Sequence, residues 1–234
     1  GAADDWNRGC ACRTLDAVSV FALTVEDAAL VASIAGGHDA TDPGSRSPGI
    51  AVRRGWSQRE RIRVGVPLPA QREFFGDADY AALFERSIEG LAALDADPVP
   101  VDIAPLLEAA RLLYQGPWIA ERFLAVEALL SSRPEALLPV TRQIIAAGSK
   151  PLASDAFRAQ YRLQELRSIA ARLWQEIDVL LLPTAGRHPR LAEVEAEPIA
   201  RNSELGHYTN FVNLMDLAAL AVPASFTPGG MPFG

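Results

Sequence analysis

A change of hydrophobic period between residues 61 and 103 constrains this chain most. In RIRVGVP (61–67), Ile62, Val64 and Val66 alternate, which is the two-residue period of a strand. From Tyr80 onward the apolar positions are Tyr80, Leu83, Phe84, Ile88, Leu91 and Leu94, spaced as on one face of a helix. DPVPVDI (97–103) returns to strand chemistry, entered through Pro98 and Pro100. Strand, helix and strand in that order make a βαβ-like unit, and an α/β fold follows.

Further elements flank that unit on both sides. Thr24 is placed to cap a short helix whose first turn carries Glu26 and Asp27, where the helix dipole favours negative charge. Val25, Ala28, Ala29, Val31, Ala32 and Ile34 form its apolar face, and Gly36-Gly37 ends it. Residues 38–60 read as a loop. Leu106, Leu107, Ala110 and Leu113 predict a helix that Gly116-Pro117 breaks, and a new one resumes from Trp118. The longest predicted helix is 154–177, capped by Ser154, with Phe157, Tyr161, Ile169, Leu173 and Ile177 turned inward. DVLLLPTA (178–185) is continuously apolar, as in a central strand covered on both faces. Residues 186–206 read as loop, and a helical segment then leads to a strand near 220–224.

Composition excludes several function classes. Of 234 residues, 49% are apolar and 22% charged, values of an ordinary globular domain, and the net charge of −7 argues against a nucleic-acid surface. Cys10 and Cys12 are too close for an unstrained disulfide and lack further ligands for a metal, so both are expected as free thiols. No membrane-length apolar run or signal-peptide pattern is present, and a cytoplasmic protein without cofactor or metal is expected.

Catalytic candidates are few. Lys150 is the sole lysine, and it follows Ser149 in AAGSKP, which reads as a solvated loop. His38, His188 and His207 are far apart, with no G-x-S-x-G elbow beside them. Asn210, Asn213 and Asp216 form a polar patch suited to binding loop backbone. Tyr114 and Arg122 flank the Gly116-Pro117 break. On an unbroken helix they would lie ~12 Å apart along the axis, but a break lets both face one pocket. There Arg122 would offer a planar fork for a carboxylate and Tyr114 a hydroxyl beside an apolar ring. The structural alternative places Tyr114 in the core and pairs Arg122 with Glu121 or Glu127.

CRTLDAVSVFALTVEDAALV, RIRVGVP, LLYQGPWIAERF, DVLLLPTA and YTNFVNLMDLAALAVPA, in this order, resemble the amidase signature family. LLYQGPWIAERF is the narrower motif and points to the allophanate-hydrolysing branch. The resemblance implies a mixed sheet sandwiched between helices, an α/β fold of which residues 12–234 form a part. Residues 1–11 do not match, and the last strand or strands of the fold are not matched either. It implies hydrolysis of allophanate (urea-1-carboxylate) to ammonia and carbon dioxide in urea degradation, with Tyr114 and Arg122 binding the substrate. The family's Ser–cis-Ser–Lys triad and its G-G-S-rich loop would precede Cys12, and nothing there matches them. An inactive chain is therefore expected, completed by a partner carrying the catalytic half. A non-catalytic subunit with a small-carboxylate pocket, another amidase-signature amidohydrolase such as a tRNA-dependent transamidase, and self-association all stay open.

Overall fold

The computed structural model describes residues 11–42, 44–45 and 61–234. They belong to two units, residues 1–58 and 59–234. In the first unit, helix α1 (Val25–Ala35) starts and stops where the sequence predicts. Thr24 is extended, and its hydroxyl oxygen accepts the Asp27 N–H at 3.1 Å. Gly36 ends the helix by donating to the Ala32 carbonyl at 2.8 Å. The predicted apolar face is there but uncovered: no α1 residue is buried, and Val25 and Ile34 are 58% and 76% exposed. Cys12 is buried, and the Asp16 carboxylate accepts the N–H groups of Ala11 and Cys12. Cys10 lies outside the described residues, as does the predicted loop at 43 and 46–60.

The second unit is organised by three parallel strands, β1 (Ile62–Pro67), β2 (Ala96–Val101) and β3 (Val179–Leu180), in the order β2-β1-β3. The predicted βαβ unit is present, with helix α2 (Ala78–Gly90) between β1 and β2. Asp77 caps α2, accepting the Tyr80 N–H at 3.0 Å. Tyr80, Leu83 and Phe84 face a core that includes Phe74 and Phe233. The predicted helical series runs on through Leu91 in a 3-10 turn, but Leu94 is exposed.

β1 is buried from Val64 to Pro67, not on one side only, because both of its edges are paired. β2 is an edge strand, which suits its prolines. The carbonyls of Asp95 and Val101 accept from Ile62 and Leu68, so Pro98 and Pro100, of the other parity, turn their missing N–H groups to the open side. Arg63 ties β1 to the start of β3: its backbone N–H and Nη2 donate to the two oxygens of Asp178 at 2.9 and 3.1 Å.

Several expectations change here. DVLLLPTA contributes only a two-residue edge strand among the described residues, since it has one neighbour, β1. Helix α6 (Ala153–Glu176) begins after Leu152, whose N–H is taken by Asp155 at 2.9 Å, so Ser154 is not its cap. Its buried stripe is Ala159, Leu163, Leu166 and Ala170, leading to Ile177. Phe157 and Tyr161 sit on the exposed side, and Ile169 is 43% exposed. Small residues explain this choice: α3 (Ala104–Gln115) buries Ala109 and Ala110, and the two helices pack together with Arg162 paired to Glu108 at 2.6 Å.

The predicted loop 186–206 holds two short helices, α7 (Leu191–Ala196) and α8 (Pro198–Leu205), with Pro198 at a first turn that suits it. The predicted strand near 220–224 is displaced to a hairpin of β4 (Ser225–Phe226) and β5 (Pro232–Phe233). Pro223 lacks a ladder donor, and Gly230, at φ +81°, supplies the turn. No described helix is long and apolar enough to cross a membrane.

Candidate functional site

The site begins with the break between α3 and α4 (Ile119–Ser132). Gly116 ends α3 with its N–H on the Leu112 carbonyl at 3.1 Å, and a Cβ at Gly116 would come within 2.5 Å of that same oxygen. Only glycine allows the chain to leave the helix this closely, and Pro117 then starts the new direction. The fold-back brings Arg122 over Tyr114, with the guanidinium carbon 4.6 Å from the ring centroid. The two residues that sequence spacing singled out are therefore in contact.

Tyr114 is 48% exposed, and Arg122 is partly buried with its Nε enclosed and without a hydrogen-bond partner. The ion pair of Arg122 with Glu121 or Glu127, which the structural alternative called for, does not occur among the described residues. A guanidinium on a ring face gains about 0.5–1 kcal/mol at such a site, while an enclosed unpaired donor costs about 1–3 kcal/mol. The pair thus holds a planar cation against an aromatic face, a group whose chemistry suits a carboxylate.

The other candidates disperse. The Ser149 hydroxyl donates to the Ala146 carbonyl at 3.0 Å, and Lys150 is exposed at the end of a 3-10 turn. His38, in the first unit, lies 3.3 Å from the Ser45 hydroxyl on an exposed turn. Asp39 on that turn is held below the usual carboxylate range by the hydroxyl and N–H of Thr41. His188 stands edge-on to Tyr80 at 5.5 Å. His207 is lodged between Phe75 and Tyr208. No cluster of three metal-ligating side chains occurs among the described residues.

A second constellation, at the carboxyl ends of β1 and β3, left no trace in sequence spacing. The Tyr208 hydroxyl accepts the Glu73 N–H at 2.6 Å and lies 3.0 Å from the Glu73 carbonyl, across 135 residues. Burial holds that phenol above its ordinary range. Arg187 donates to Glu204 at 2.8 Å and to Glu193 at 3.0 Å, and Arg201 shares Glu204. Those bonds, Glu204 first, keep Arg187 charged and bind α7 and α8 to the loop after β3. Gly186 is obligatory here, since a Cβ would come within 2.7 Å of the Glu73 carbonyl and 2.9 Å of the Phe75 ring. Carboxyl ends of parallel strands are where open α/β sheets bind ligands.

A family model described as "Amidase" matches residues 9–234. This chain belongs to the amidase family. Urea amidolyase of Saccharomyces cerevisiae is 37% identical over 226 residues, covering 96% of this chain and 12% of the yeast protein. The allophanate hydrolase structure of Kluyveromyces lactis superposes with a TM-score of 0.85 at 37% identity, covering 95% of this chain and 36% of that one. The 2-amino-5-chloromuconic acid deaminase of Comamonas testosteroni is 29% identical over 227 residues, covering 94% of this chain and 46% of that enzyme. The chain spans far less than two thirds of the length of these relatives.

Proposed function

We propose that this amidase-family chain supplies the carboxylate-binding part of an amidohydrolase acting on allophanate, as part of urea degradation. The observation that carries the reading is the Arg122 guanidinium held on the half-exposed Tyr114 ring across the Gly116-Pro117 break. Allophanate has one carboxylate to meet that fork and a terminal amide to be cleaved. Likeness to an enzyme named allophanate hydrolase supports the choice of substrate within the family.

The chain by itself is inactive in this reading. A Ser–Ser–Lys mechanism needs a lysine shielded from water as base, and Lys150 is exposed on a turn. The reading requires a Ser–Ser–Lys half, on a longer form of this polypeptide or on a partner, to complete the site. Ammonia release from allophanate by the purified chain would sink the inactivity claim. Malonate, a small dicarboxylate probe, should bind the chain, and Arg122→Ala should weaken it by about tenfold or more, the scale of one charge-assisted fork. Arg122→Lys should not restore it, because an ammonium lacks the fork. Equal malonate affinity in all three proteins would remove the pocket.

A further inference from the structure

The turn at residues 73–77 is held by a histidine that the proposed reaction does not use. Phe75 has a left-handed backbone, φ +52°, followed by Gly76 at φ +83°. A bulky aromatic takes that conformation only when its surroundings impose it. Three neighbours do so. Glu73 Oε1 accepts the Phe75 N–H at 2.6 Å. Gly186 leaves room for the Phe75 ring. The His207 ring meets Phe75 edge to face, with centroids 5.6 Å apart and planes at 90°, and meets Tyr208 likewise at 4.6 Å and 89°. His207 Nε2 is enclosed without a partner.

We propose that His207 is an acid-sensitive latch on this turn, closed by the neutral imidazole and opened by the imidazolium. The charged groups facing it are Glu73 on the turn and Arg111 on α3, and Tyr208 is the remaining titratable neighbour. Burial disfavours the charged ring and pushes its pKa below the ordinary 6.5; Glu73 opposes that, and Arg111 reinforces it. An imidazolium here has one facing carboxylate to recruit, Glu73, and that carboxylate already holds the Phe75 N–H. Protonation leaves the ring's enclosed Nε2 side without an acceptor inside the cage, so the charged ring must open the cage to reach one, which loosens the turn. Phe75 and Gly76 also line a concavity of about 390 Å³ with Asp77, Asp79 and Arg187, so opening the turn reshapes that surface.

The sign follows from linkage. Because the folded pKa lies below the unfolded one, the latch's contribution is complete above pH 6.5 and is lost as the pH falls below it. Hydrogen exchange and the imidazole NMR signal of the full chain, followed from about pH 7.5 to about pH 5, test the idea. His207 should titrate below its ordinary value. Protection of the Phe75 amide, corrected for the intrinsic pH dependence of exchange, should fall about tenfold or more while β1 amides hold. In His207→Gln the protection should not change with pH. Equal Phe75 protection at both ends of the range, or the same fall in the variant, overturns the latch. Should the variant fail to fold, the wild-type chain alone decides. Its imidazole titration and its loss of Phe75 protection must share one midpoint, and two separate midpoints overturn the proposal.

Discussion

Helices α1 and α2 make an instructive pair. Both start at a cap that the chain supplies locally, Thr24 in one and Asp77 in the other, and both carry apolar residues at helical spacing. α2 buries Tyr80, Leu83 and Phe84 in a core shared with Phe74 and Phe233, whereas α1 buries nothing. Helix formation and helix burial are thus separate events. The first is satisfied by backbone hydrogen bonds and capping within about a dozen residues. The second needs a surface elsewhere, and among the described residues only α2 has one within its unit.

Substitutions can break or sharpen this contrast. The largest effect is expected for Phe84→Ala, because its ring is 1% exposed and packs 5.9 Å from Phe74. A loss of about 3–5 kcal/mol in denaturant unfolding of the second unit should follow. A loss below 1 kcal/mol would mean that the α2 core is no better covered than α1. Asp178→Ala should come next, at about 2 kcal/mol, since it strips the Arg63 side chain and backbone of a shared, part-buried acceptor. With Arg63 already alanine the loss should shrink only by the guanidinium's share, because the residue-63 backbone N–H still donates to Asp178, and simple additivity would refute the side-chain coupling.

Tyr80→Phe removes one hydroxyl that donates to the Pro232 carbonyl at 2.6 Å, joining α2 to the terminal hairpin. About 1 kcal/mol is expected, read as earlier exchange of the β4–β5 amides. The smallest effect belongs to α1: Ile34→Ala, at a side chain 76% exposed, should shift unfolding by less than about 0.5 kcal/mol. A loss on the core scale would show that something covers α1 in solution.

The Tyr114–Arg122 contact shows how much of the candidate site was legible. Tyr114 and Arg122 were readable because the Gly116-Pro117 break is written locally, and a helix broken between them can place both on one side. The Tyr208–Glu73 tie and the His207 cage were not readable, because their partners are more than 130 residues apart and no periodic pattern links them. In α6, two stripes of helical spacing competed, and the bulkier one, Phe157 and Tyr161, suggested the core. Close approach of α3 favoured the smaller stripe through Ala159 and Ala170. α7 and α8 escaped notice because Arg187, Arg201, Glu193 and Glu204 hold them by ion pairs in place of an apolar face.

By itself the sequence determined the caps of α1 and α2, the βαβ order of the second unit and the break that pairs Tyr114 with Arg122. Each of these is settled by torsion angles, caps and spacing within a few turns of chain. Tertiary structure alone decided which face of α6 is buried, that among the described strands β1 is central while DVLLLPTA lies at an edge, and that His207 sits in an aromatic cage. Those outcomes depend on what happens to lie opposite, and a local pattern carries no record of its neighbour across the fold.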